Sequence, residues 1–100
     1  MERMYNLQPN DGRKSFYGKA TVIENYDGII LVSYQTIVCG IDNDRKFYRF
    51  WGGYSATTMR HINAFLEAYW MPGGGKKWWE SLPVERYSDF DGRKRPENVA

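Results

Sequence analysis

Most of the side chains that could do chemistry fall in one run, "GGYSATTMRHINAFL" at residues 52–66. Ser55 is placed to cap a helix, its hydroxyl accepting from the backbone N–H of Thr58. The first turn that follows holds Thr57 and Thr58 and no Asp or Glu, although a helix N-terminus favours negative charge. Gly52 and Gly53 let the backbone come close just before the cap. Gly53, Tyr54, Ser55, Thr57, Thr58, Arg60 and His61 are therefore the candidate binding residues, and a phosphate or a partner's carboxylate is the ligand type they would hold. The plainer reading of the same residues is a hydroxyl-capped helix whose first turn lacks acids.

His61 is the sole histidine. A general base needs a nucleophile or an orienting acid at hand, and no nucleophile stands at a recognisable motif spacing from it. A packed imidazole bonded to a backbone or hydroxyl group is the expectation; no catalytic residue is assigned, and the chain is read as a non-enzyme. Cys39 is the only cysteine, so no disulfide can form within the chain, and with His61 it falls short of the four ligands of a structural zinc site. No metal site and no cofactor are expected. A reducing, cytoplasmic setting fits the cysteine usage. Residues 1–10 lack the apolar run of a signal peptide, and no stretch is apolar enough to span a bilayer.

Fourteen basic and twelve acidic residues leave a formal charge of +2. That balance argues against a protein that coats nucleic acid by charge alone, but a local basic patch remains open. Asp-Gly-Arg-Lys occurs at 11–14 and again at 91–94. Arg13, Lys14, Arg93, Lys94 and Arg95 form such a patch if the two ends of the chain meet, and two solvated turns if they do not. "KFYRFW" and "GGGKKWW" interleave rings with cations, which suits either a stacking platform for single-stranded nucleic acid or simply the core. Neither carries the glycine spacing of an RNA-recognition strand or of a P-loop.

These residues need elements to hold them. One hundred residues with 42% hydrophobic and 17% aromatic content make one domain with one modest core. The folded part is expected at about residues 14–85, between a polar N-terminal arm and a charged, extended C-terminal tail. Alternation over 16–23, the turn "NYDG" at 25–28, an almost continuous apolar run over 29–38, the turn "DNDR" at 42–45 and "KFYRFW" at 46–51 predict three antiparallel strands, with Gly40 marking a bulge. Met59, Ile62, Phe65, Leu66 and Tyr69 share one face of a helix, with Arg60, Asn63, Ala64 and Glu67 opposite. "MPGGG" at 71–75 ends it, and "KKWWESL" at 76–82 predicts a short second helix that docks through its Trp pair. The fold class is α+β: a three-stranded antiparallel meander, one long helix on one face and a short Trp-bearing helix. Three strands would leave the second sheet face uncovered, showing either Ile29, Leu31 and Ile37 or Ile30, Val32 and Tyr34. A homodimer through the sheet or a protein partner is expected to cover it.

"KSFYGKA" at 14–20, "SYQTIV" at 33–38, "WGGYSATTMRHINAFL" at 51–66 and "KKWWESLPVE" at 76–85 resemble a family of small proteins from bacteriophages, plasmids and conjugative elements of Gram-positive bacteria. The resemblance implies an origin on a mobile element and carries no catalytic residue with it. Small proteins of such elements often act by binding. The function it implies is inhibition of a host defence system through protein–protein contact, in the manner of an anti-CRISPR protein. A nucleic-acid-binding accessory protein is the alternative.

Overall fold

The computed structural model describes residues 2–9 and 15–90. Among these residues, five antiparallel strands lie in sequence order across one sheet: β1 (Arg3–Asn6), β2 (Ala20–Asn25), β3 (Gly28–Ser33), β4 (Thr36–Asp42) and β5 (Phe47–Arg49). Helix α1 (Ala56–Ala68) and the short helix α2 (Lys76–Glu80) follow, then a 3-10 turn at Tyr87–Phe90. The α+β class, the antiparallel sheet and the single long helix agree with the sequence reading; the number of strands does not.

Two strands were hidden, for different reasons. The apolar run 29–38 is two strands, because the chain turns at Tyr34-Gln35 and pairs Ser33 with Thr36. Tyr34 takes φ 59° there, a left-handed conformation that costs a non-glycine residue about 1 kcal/mol. Nothing in Tyr-Gln announces a turn, since neither residue favours that backbone. β1 lies in the arm expected to be loosely held. It pairs with β2 from Arg3↔Glu24 to Asn6↔Thr21, and Leu7 just beyond it is buried. Its polar composition concealed it, because only Tyr5 and Leu7 face the core.

Pairing fixes the faces. Val22, Leu31, Cys39 and Arg49 form one inward row, with Glu24, Ile29, Ile41 and Phe47 in the next. Met59, Ile62, Phe65 and Leu66 of α1 pack onto these rows, with Trp79 of α2 beside them. Ala64, expected on the solvent side of α1, is also buried. Tyr69 is half-buried, and its hydroxyl donates to Glu24 Oε2 at 2.6 Å while sharing a 2.6 Å hydrogen bond with Tyr5. The bulge falls at Val38 and not at Gly40: Leu31 pairs Cys39 and Val32 pairs Ile37, which leaves Val38 as the extra residue. Its carbonyl accepts from the N–H groups of Phe50 and Trp51, so the bulge steers the chain out of β5.

Register decides that the outward set is Ile30 and Val32, joined across the pairs by Ile23 and Ile37. This face is covered in part, which corrects the expectation of a bare one. Phe90, placed by sequence in an extended tail, is buried and stands edge-on to Tyr48 and Phe50. Gly28 makes room for it: a Cβ there would meet the Ile41 carbonyl and lie 2.8 Å from Phe90 Cζ. The "NYDG" hairpin does form, with Tyr26-Asp27 as its loop.

Arg49 points inward and is buried. Its guanidinium donates to the carbonyls of Trp51 at 2.9 Å, Trp79 at 2.9 Å and Leu82 at 3.0 Å, and sits 4.7 Å from the Trp79 ring centroid. Glu85 N–H in turn donates to the Arg49 carbonyl at 2.7 Å. Replacing Arg49 by Leu leaves these buried carbonyls without a donor and is expected to cost about 3 kcal/mol. Arg49→Lys should recover little of that, because an ammonium lacks the planar fork. Urea denaturation of the two variants checks both statements.

Candidate functional site

The start of α1 meets the sheet at the end of β3. Ser55 is the N-cap, at φ −148° and ψ 152°, and its Oγ accepts from Thr58 N–H at 3.0 Å. One turn on, Thr58 and His61 point into the protein and not into solvent. Both meet Ser33, whose Oγ lies 3.0 Å from Thr58 Oγ1 and 2.8 Å from His61 Nδ1. Phe16 stands edge-on to the imidazole at 4.5 Å and Tyr34 lies tilted at 5.8 Å.

The residues named from sequence are thus divided between two sides of the helix. His61 and Thr58 belong to a buried polar cluster, Thr57 is exposed, and Ser55 is half-buried. Arg60 is half-buried as well, its guanidinium 5.0 Å from the Phe16 ring centroid. They do not converge on a single outward anion cradle. Tyr54 is exposed, and the Gly53 carbonyl accepts from Trp79 Nε1 at 2.8 Å. Arg13, Lys14, Arg93, Lys94 and Arg95 lie outside the described residues.

Ser33 and His61 stand at the separation of a nucleophile and its base. Ser33 is only 2% exposed and His61 1%, and among the described residues no carboxylate is bonded to the ring. The cluster satisfies its own hydrogen bonds, which is what buried polar groups require. Burial pushes the imidazole pKa down, and the positive charge of Arg60 lowers it further; both favour the neutral ring. Cys39 is buried, and burial pushes its thiol up, well above the ordinary range.

Outside the cluster a cleft of about 220 Å³ opens, with Tyr34, Trp51 and Tyr54 as ring walls and Ser33, Ser55 and Thr58 as hydroxyl lining. Tyr34 and Thr36 also border a second cleft of about 530 Å³, lined by Gly18, Lys19 and Gln35. Two of the rings carry an ammonium group. Lys19 Nζ is 5.9 Å from the Tyr34 centroid, and Lys76 Nζ is 5.2 Å from that of Tyr54. The segment between β5 and α1 is fixed from beneath, since the carbonyls of Trp51 and Gly53 are held by Arg49 and Trp79. Of the basic aromatic runs, Phe47 and Trp79 pack inward against each other, and Tyr48 and Phe50 cluster with Phe90 on the outer face. These four rings are packing.

Sequence reading missed Ser33, Tyr34 and Lys19. The available signal was Ser33 itself, a polar residue inside an apolar strand at a place where only a partner across the core makes it tolerable. Among the described residues no group of three or more His, Cys, Asp or Glu side chains could hold a metal ion, and no helix is long and apolar enough to cross a membrane.

Residues 5–81 match a family of unknown function (DUF8033), and the chain belongs to that family. The match begins at Tyr5 and so takes in the second half of β1. No curated protein and no solved structure matches the chain.

The lowered His61 pKa sets a pH dependence. The unfolded chain takes up a proton near the ordinary value of 6.5, while the folded protein resists it. Between the two values the unfolded state binds more protons, so stability rises with pH there. Its contribution is lost as pH falls from about 6.5 towards the folded value. His61→Gln should flatten the melting-temperature profile just below about pH 6.5, measured by circular dichroism against the parent.

Proposed function

We propose that this member of the family is a non-enzymatic binding protein of a bacteriophage or other mobile genetic element. It acts in the host cytoplasm by protein–protein contact, and the partner is a component of a host defence nuclease system. One observation carries the reading: rings stand exposed on a rigid frame around a cleft. Tyr34 is 53% and Tyr54 36% exposed, with Trp51 between them at the cleft wall. Tyr and Trp beside a pocket are the residue types that dominate binding energy at protein interfaces. Their backbone is held in advance by Arg49, Trp79 and the Val38 bulge, which lowers the ordering cost of association. The mobile-element setting and the class of partner rest on the resemblance carried by residues 51–66.

The burial of Ser33 and His61 supports a structural use of that pair over a catalytic one. A homodimer would use the part of the outer sheet face that Phe90 leaves open, where Met4 is 65% exposed beside Ile23.

Replacing Tyr34 and Tyr54 together by Ala should leave the circular dichroism spectrum unchanged. It should also abolish copurification of the defence component from a host lysate. Retention of that component by the double variant would remove the cleft from the interface. Failure of the parent to recover any defence component would remove the proposed partner class.

A further inference from the structure

Charge around the two clefts is one-sided. None of the described residues that line them is Asp or Glu, and the first turn of α1 above them holds no acid either. Cations, in contrast, stand beside them: Lys19 lines the wider cleft, and Lys76 lies next to a wall of the narrower one. Lys19 and Lys76 lie far apart in sequence, yet each brings its ammonium group over one of the two exposed rings that wall the same cleft. Three carboxylates are engaged away from the clefts: Glu24 with Arg3 and Tyr69, Asp42 with Tyr48, and Glu85 with Lys46.

We propose that the two clefts beside Tyr34, which share Tyr34 and Thr36 as lining, bind an extended acidic segment of a protein partner, its carboxylates placed at Lys19 and Lys76. This rests on the reading of the chain as a binding protein and names the chemistry of what it binds. The cation–ring pairs favour carboxylates over nucleobases. A base stacks on a ring face, and the ammonium groups of Lys19 and Lys76 already stand over the faces of Tyr34 and Tyr54. A carboxylate meets such an ammonium group directly, with the ring beneath holding the cation in place. The lining adds neutral donors. Ser55 Oγ accepts from Thr58 N–H and keeps its own O–H to give, while Thr36 and Gln35 border the wider cleft. Trp51 and the Tyr rings supply apolar wall between the charged points, as a side chain alternating with Glu or Asp along an extended segment would need.

Fluorescence anisotropy with a labelled oligoglutamate peptide tests the inference, with a labelled Gly-Ser peptide and a labelled oligothymidylate as the other probes. The expected result is binding of oligoglutamate, none of the Gly-Ser peptide, and weakening as salt rises. Lys19→Glu and Lys76→Glu should each weaken binding about fivefold, and together about 25-fold if they act independently. Lys46→Glu, whose ammonium lies over Tyr48 on the other face, should leave it unchanged. Absence of oligoglutamate binding at millimolar peptide would overturn the proposal, as would equal affinity of the Lys19→Glu, Lys76→Glu double variant. Tighter binding of oligothymidylate than of oligoglutamate would overturn it in favour of a single-stranded nucleic acid. Should the Tyr34, Tyr54 double variant lose its partner while oligoglutamate fails to bind, the acidic segment falls and the binding reading stands.

Discussion

The buried guanidinium of Arg49 is the contact on which most of the architecture depends. A cation inside a small protein is costly unless every donor finds an acceptor. Here the acceptors are carbonyls from three places in the chain: Trp51 after β5, Trp79 in α2 and Leu82 beyond it. One side chain thereby ties the exit of the sheet to the short helix and to the segment that follows. α2, at Lys76–Glu80, is too short to persist by backbone hydrogen bonds alone. It persists because Trp79 is buried and the Trp79 carbonyl has a charged donor.

The same clamp shapes the cleft. Trp51 and Tyr54 stand on either side of Gly52-Gly53, a pair that on its own would leave this stretch loose. Arg49 holds the Trp51 carbonyl and Trp79 holds that of Gly53, so the rings above are presented by a supported backbone. On the opposite wall Tyr34 is presented by a two-residue turn in a strained left-handed conformation. Backbone strain kept at an exposed ring is the pattern expected where a side chain's position matters more than local stability. The buried Ser33–Thr58–His61 cluster lies directly behind, and it locks the first turns of α1 to the end of β3.

Local signals were legible where chemistry is local. Ser55 as cap, the apolar face of α1, the stop at "MPGGG" and the docked Trp79 all follow from spacing and residue type, because each depends on neighbours within a few positions. The strand count was not legible. β1 is a polar edge strand whose identity comes from its pairing with β2, and the β3–β4 turn uses residues that carry no turn preference. Phe90 likewise looks like part of a charged tail until Gly28 opens the space that receives it.

By itself, then, the sequence determined an α+β domain, its long capped helix and the residues around Ser55 to His61. Only the tertiary structure decided what those residues meet. Sequence read His61 as a packed imidazole bonded to a backbone or hydroxyl group; the pairing register supplied Ser33 as that hydroxyl and set Thr58 beside it. It also brought Lys19 and Lys76, far apart in the chain, to two rings of one cleft. The reason is physical: helical and turn propensities act over a few residues, whereas facing, burial and charge clustering depend on strand register, which the whole hydrophobic pattern sets at once.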